Sequence, residues 1–239
     1  MSQTDQDAKG STVDRPGALA PSSPARRILR LGLLTLPFLG LVMFLGAPWL
    51  FPGPPVGHYV ATPADPHEVG ERLVGPEFYT LDARASDQWT FFDFSRGSVV
   101  EVPHQFGVDW DLAFQRHKML VNGGATNPKG QGGILNLGEV PFDAVIDAPA
   151  DGYVEDTIAT INPDTIVTEN LAIKTWYHYN LLTHLLHPKP NVYVVRTADG
   201  KYAKMRIVSY YCDGGHASGC FTIEYVYQGD GGRRFVGTP

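Results

Sequence analysis

Catalytic signatures are what this sequence lacks most. Its 239 residues contain no G-x-S-x-G elbow, no cysteine–histidine pair in a reducing setting and no carboxylate pair in a recognisable frame. The chain is therefore read as a non-enzyme. The Gly-rich stretch from Gly123 to Gly133 includes Lys129 but not the G-x-x-x-x-G-K-[ST] spacing, which excludes a phosphate-cradling loop; it is expected to be flexible. Basic charge is also short where it would matter. Residues 1–51 carry five basic and three acidic residues, and the remainder carries 14 basic and 22 acidic ones. An acidic domain without a basic stripe argues against a nucleic-acid partner. Cysteine is limited to Cys212 and Cys220, and none follows the apolar run near the N-terminus, so a lipid-bearing cysteine there is excluded.

Turn-forming residues are plentiful. There are 26 Gly and 19 Pro, a composition that suits an all-β protein and disfavours a helical bundle. Residues 1–25 are polar, without apolar periodicity, and read as a disordered cytoplasmic tail. Arg26, Arg27 and Arg30 then lead into an uncharged run from Leu31 to Leu50, twenty residues long. At 1.5 Å per residue a helix of that length spans about 30 Å, the thickness of a hydrocarbon core. Trp49 and Phe51 close the far end, where aromatic rings favour the headgroup zone. The alternative is a cleaved signal peptide, whose apolar region is usually ~7–15 residues, and Leu45-Gly46-Ala47 before Pro48 is a poor cleavage site. Residues 26–51 are thus assigned as a transmembrane helix anchored by Leu31, Trp49 and Phe51. The arginines keep the N-terminus cytoplasmic and export the rest. Residues 52–69, rich in Pro and Gly, read as a stiff spacer, and 70–239 as the exported domain.

Within that domain, Trp110, Leu112 and Phe114 alternate with Asp111, Ala113 and Gln115, the pattern of a strand with one buried face. Asn122-Gly123-Gly124 ends it. Asp111 is expected to bond backbone at a strand edge rather than act as a base. Gln88 to Phe94, a Ser95-Arg96-Gly97 turn and Ser98 to Val102 form one hairpin. Asn191 to Thr197, a turn at Ala198-Asp199-Gly200 and Lys201 to Tyr211 form another, and Phe221 to Tyr227 pairs back. Residues 168–186 fit a helix capped by Thr168 or a strand over 174–181, and the alternation favours the strand. The fold class is all-β, mostly antiparallel, with one N-terminal transmembrane helix and one or two short helices. Half of Tyr202, Tyr210, Tyr211, Tyr225 and Tyr227 are expected in the core, and the others on a protein-binding face.

Trp110-Asp111-Leu112-Ala113-Phe114 with Asn122-Gly123-Gly124, the hairpin from Val194 to Lys204, the Tyr210-Tyr211 end and the aromatic hairpin Trp89 to Phe94 together resemble the HmuY-like family of bacterial haem-binding proteins, over roughly residues 75–228. The resemblance implies a mostly antiparallel β fold and haem held by two side chains, histidines or in some relatives methionines. It directs attention to His178, His184 and His187 before Pro188, with His184 or His187 as a haem ligand. The second ligand is looked for near 150–160, which has neither His nor Met and offers only Tyr153. Against this stands the reading of these histidines as ordinary polar residues. They also lack the spacing and fourth ligand of a zinc site.

Two functions follow for a single-pass protein of the bacterial inner membrane with a periplasmic domain. The first is an accessory subunit docked on other subunits of a larger cytochrome-containing respiratory or photosynthetic assembly. The alternative is a haem- or tetrapyrrole-binding protein. The missing second ligand and the transmembrane helix favour the first; the lipid bilayer is a partner in both.

Cys212 and Cys220 bracket Asp213 to Gly219 at the ends of paired strands in a domain placed outside the cytoplasm, so a cross-hairpin disulfide is expected, with two free thiols as the rival. In the chain-entropy model, closing so short a loop stabilises by roughly 2.5 kcal/mol. Reduction is therefore expected to lower the thermal midpoint and release two titratable thiols. An unchanged melt with thiols already titratable before reduction would refute the bridge.

Overall fold

The computed structural model describes residues 37–42, 55–214 and 217–237. In the N-terminal unit, residues 37–42 are helical. The rest of the span expected over 26–51, with Leu31, Trp49 and Phe51, lies outside the described residues, as does the tail over 1–25. Among the described residues no helix is long and apolar enough to cross a membrane.

The second unit, residues 52–239, is built from strands: β1 (His58–Tyr59), β2 (Leu73–Asp82), β3 (Thr90–Asp93), β4 (Ser98–Val100), β5 (Leu112–Gln115), β6 (Lys118–Val121) and β7 (Gly133–Glu139) come first. A 3-10 turn at Phe142–Ala144 follows. Then come β8 (Thr157–Asn162), β9 (Thr165–Glu169), β10 (Tyr177–Tyr179), β11 (Leu186–Pro188), β12 (Asn191–Arg196), β13 (Tyr202–Cys212) and β14 (Ser218–Gln228). The larger sheet runs β2-β14-β13-β12-β7, with β1 added in parallel to β13; every other pairing is antiparallel. The smaller sheet runs β4-β3-β5-β6. Two further hairpins, β8–β9 and β10–β11, belong to neither sheet.

Period-two alternation sorts the side chains into layers. On β14 the odd positions Phe221, Ile223, Tyr225 and Tyr227 enter the main core, where they meet Tyr79 and Leu81 of β2 and Phe92, Leu112 and Phe114 of the smaller sheet. The even position Val226 turns to the opposite face, under Phe142, Val145 and Phe235. Both faces of the larger sheet are therefore covered, which is why β14 is buried along almost its whole length, Thr222 and Glu224 included. Rings pack across the interface, Phe92 edge-on to Tyr225 at 5.7 Å and Phe114 tilted against Phe221 at 5.0 Å between centroids. Each such pair adds about 0.5–1.5 kcal/mol beyond area burial. Tyr210, Tyr211, Tyr225 and Tyr227 are all buried, and Tyr202 packs at the edge of the second core. The exposed tyrosine face expected from alternation is absent among these residues: Tyr225 and Tyr227 fall on the core side of β14, and the register shift between Ser209 and Tyr211 lets both Tyr210 and Tyr211 enter the main core.

Three local expectations are corrected. The stretch from Trp110 to Val121 is two strands, not one. Gln115 pairs with Lys118, and Arg116 takes a positive φ of 52° in the turn between them. No Gly, Asn or Asp marks that turn; it is held instead by Arg116, whose N–H donates to Ala83 O (2.7 Å). Trp110 and Ala113 face a separate small core with Leu120, while Leu112 and Phe114 face the main one. The loop from Gly123 to Gly133 is packed rather than flexible. The buried Asn127 amide donates to Asn122 Oδ1 (2.6 Å), and a Cβ at Gly132 would meet Asn122 O at 2.5 Å. Finally, residues 58–69 lie bonded along the domain instead of standing off from it: Thr62 N donates to Thr80 O (2.7 Å), Asp65 N to Ser98 Oγ (3.0 Å) and Val69 N to Ser95 O (2.9 Å).

The hairpins β3–β4, β12–β13 and β13–β14 form where the alternation placed them, and Cys212 and Cys220 are disulfide-bonded. Asp111 bonds backbone, as expected. Its Oδ2 accepts from Phe94 N (2.9 Å) and its Oδ1 from Ala198 N (2.8 Å). Asp111→Ala leaves two buried N–H groups unpaired and is expected to cost about 2–5 kcal/mol. Asp111→Asn still accepts from one of them and is expected to cost less. Denaturant midpoints of the two variants check this order.

Candidate functional site

The two free hairpins rise from adjacent roots. Asp156 and Asn170 bracket β8–β9. Asn170 Nδ2 donates to Asp156 Oδ1 (3.1 Å), while Asp156 Oδ2 accepts from Val121 N (3.0 Å) and Thr126 Oγ1 (2.5 Å). One carboxylate thus ties the hairpin to the end of β6 and to the packed loop. Burial outweighs these donors and pushes its pKa up to about 6. The β10–β11 hairpin is rooted by Trp176, fully buried, whose indole N–H donates to His117 O (2.9 Å), and by Leu186 N, which donates to Tyr211 Oη (2.7 Å).

Both hairpins hold large apolar side chains in solvent. Ile158, Ile161 and Ile166 of the first are 65%, 67% and 69% exposed, and Leu181 at the tip of the second is 72% exposed. A cleft of about 260 Å³ lies between β6 and β9, walled by Met119, Ile161, Val167 and Tyr177, with His117 on its rim. That is just below the range of roughly 300–1,000 Å³ usual for small-molecule sites. The His117 ring stands edge-on to Tyr177 at 6.2 Å. Desolvation lowers its pKa, and the neighbouring cations Lys118 and Arg116 push the same way. The imidazole is thus neutral at pH 7, the form that binds metals.

The residues singled out from sequence fall in two places, the three histidines on the β10–β11 hairpin and Tyr153 apart from them. His184 sits in the turn of β10–β11 with a positive φ of 58°, exposed, its Nδ1 bonded to Tyr179 Oη. His187 lies on β11 opposite His178 of β10. Tyr153 is elsewhere: its ring packs on Tyr202 at 5.7 Å, and its hydroxyl donates to Pro149 O (2.9 Å). Tyr202 begins β13 and Tyr211 stands near its far end, so Tyr153 and the root of the β10–β11 hairpin are separated by roughly 30 Å of strand. Two axial ligands of one iron stand only about 4 Å apart, twice a metal–nitrogen bond. Burial, aided by Tyr202, also raises the Tyr153 pKa, which disfavours a phenolate ligand. Sequence reasoning passed over His117 because the run from Trp110 to Val121 reads as one strand. The signal was there: Arg116-His117-Lys118 interrupts an apolar run with three polar residues, which fits a turn better than a buried strand.

The pattern of the HmuY protein family matches residues 85–225. Among solved structures, the apo HmuY analogue of Tannerella forsythia aligns with a TM-score of 0.51 at 18% identity, over 67% of this chain and 99% of that one. Apo PinO from Porphyromonas gingivitis aligns with a TM-score of 0.50 at 16% identity, over 66% and 97%. A putative HmuY-like haem-binding protein from Bacteroides vulgatus aligns at 0.49 and 23% identity, over 69% and 97%. At these identities the likeness is one of fold. No curated protein matches the chain.

The Asp156 clamp gives a pH prediction. The folded chain keeps this proton up to about pH 6, whereas the unfolded chain releases it near 3.8. Between those values the folded state binds more protons, so this group's contribution to stability is lost as pH rises through the window. A shift of about two units corresponds to roughly 3 kcal/mol. Asp156→Asn is expected to flatten that part of the stability–pH curve between pH 4 and 6 relative to wild type, as read by urea unfolding. Parallel curves would refute the assignment.

Proposed function

Since the chain belongs to the HmuY protein family, we propose that it is a non-enzymatic protein that binds haem or another tetrapyrrole in the cleft between β6 and β9. The observation that carries this reading is a neutral imidazole, His117, on the rim of an apolar cleft flanked by exposed isoleucines. The residues present suit the group. Met119, Ile161 and Val167 offer apolar contact, Tyr177 offers a ring face, and the Lys118 ammonium on the rim suits a carboxylate substituent. Lys174, also on the cleft, already pairs with Glu169 at 2.7 Å. Bound haem would supply an iron that a neutral imidazole such as that of His117 could ligate. The chain's part is to present Nε2 or Nδ1 of His117 unprotonated and to keep water from the apolar wall.

The accessory-subunit reading leaned on the missing second ligand near 150–160, and His117 offers a nitrogen from another part of the chain. The expected topology is retained: arginines in the cytoplasm, residues 31–50 in the inner membrane, the domain in the periplasm. The formed Cys212–Cys220 bridge supports an oxidising compartment for it.

Haemin titrated into the purified full chain is expected to give one saturable Soret shift. His117→Ala should weaken it by roughly tenfold or more, and combined His184→Ala and His187→Ala should leave it intact. Because the His117 pKa lies below the ordinary 6.5, affinity should hold level down to that pH. No Soret shift would reject the tetrapyrrole reading. A shift lost only in the double variant would move the iron to the β10–β11 hairpin.

A further inference from the structure

The β10–β11 hairpin carries a histidine pair that the cleft does not use. His178 and His187 are direct partners in antiparallel register. Directly opposed residues leave such a ladder on the same face, with Cβ atoms about 4.5–5.5 Å apart. The two imidazoles are therefore within reach of one shared ion. Backbone bonds fix the register on either side: Asn180 N donates to Leu185 O (2.9 Å) and Lys189 N to Trp176 O (2.8 Å). The two rings differ in setting. His178 is exposed. Nε2 of His187 is shut off from solvent and has no hydrogen-bond partner, a state that costs free energy whether that nitrogen donates or accepts.

We propose that His178 and His187 together bind a divalent transition-metal ion of the copper–zinc type. Paired neutral imidazoles are the chemistry these ions prefer among the side chains available here, with copper held more tightly than zinc. Solvent on the His178 side completes the coordination shell. Among the described residues no group of three or more His, Cys, Asp or Glu side chains is arranged for a metal, so the site has two protein ligands. His184 stays out of it. Its Nδ1 is engaged by Tyr179 Oη, and Tyr179, one position along from His178, points to the other face of the hairpin. The geometry also separates this site from haem: two nitrogens on one face occupy neighbouring positions on an ion and cannot take the opposed axial positions of a porphyrin iron. The proposal does not depend on the tetrapyrrole reading.

The test is a Cu²⁺ titration of the full chain at neutral pH, followed by electron paramagnetic resonance. Wild type is expected to bind one ion with a two-imidazole signature above the background of its other histidines. His178→Ala and His187→Ala should each weaken that binding roughly ten- to a hundredfold, whereas His184→Ala and His117→Ala should not. Zn²⁺ should raise the thermal midpoint of wild type but not of His178→Ala. Since His178 is exposed, its replacement tests binding without disturbing the fold. Unchanged Cu²⁺ affinity in His178→Ala, or an equal loss in His117→Ala, would overturn the site. A haemin titration of the same variants shows separately whether the cleft is intact.

Discussion

Two sheets that share no strand are held in register by the carboxylate of Asp111. One oxygen takes the N–H at the end of β3, and the other takes the N–H in the β12–β13 turn. The backbone N–H of Asp111 donates to Phe92 O, and its carbonyl accepts from Asn122 N. Three backbone segments thus converge on one residue that is almost wholly buried. The cost is electrostatic. Burial, with Asp93 close by, holds the Asp111 pKa well above the usual carboxylate range. Two orphan N–H groups would cost as much or more, so the sheets are better joined by a strained acid than left unjoined. Aromatic packing fills the space between them, but ring contacts slide, whereas two N–H bonds at 2.8–2.9 Å fix the offset of one sheet against the other.

Everything that points outward depends on that offset. His117 sits in the turn at one end of β5–β6, and its carbonyl receives the Trp176 indole. Trp176 in turn packs on Phe221 of the larger sheet at 5.0 Å. The smaller sheet thus carries the imidazole, the larger sheet carries the root of β10–β11, and Trp176 couples them. The cleft has its width because the two sheets have theirs.

Much of this was legible in the sequence, and the failures have physical reasons. The long hairpins β12–β13 and β13–β14 were plain because Ala198-Asp199-Gly200 supplies a positive φ at Gly200 of 85° and because β-branched and aromatic residues alternate beside it. The disulfide followed from the ends of those strands. The β5–β6 turn was hidden because its positive φ falls on an arginine, for which no turn preference exists. Gly130 and Gly132 looked like slack but mark places where the backbone passes within contact of Asn122, and Gly124 marks one against Asp156. Tyr153 came from chain position alone. Only its ring contact with Tyr202 at the start of β13 shows how far it stands from the histidines, and a contact so distant in sequence leaves no local trace. Residues 26–51 show the opposite case: their apolar run is the loudest signal in the sequence, and it lies mostly outside the described residues.

The free hairpins are where the domain departs from its own rules. A two-stranded ribbon is marginal by itself in water, and these two leave isoleucine and leucine side chains in solvent that a core would have taken. Their stability is borrowed from the roots: Asp156 and Asn170 under one, Trp176 and Tyr211 under the other. Segments with few buried contacts beyond a fixed base open at low free-energy cost. A ligand that covers the exposed isoleucines therefore gains burial that folding alone leaves unclaimed. The same holds at smaller scale for an ion bridging His178 and His187, which would cross-link the thinner hairpin across its width. The acid that clamps the first hairpin and the unpaired nitrogen in the second are both left by folding in states that water would relieve. Such strain persists only where the surrounding packing holds it in place, and both lie at the bases of the segments that have surface to offer a ligand.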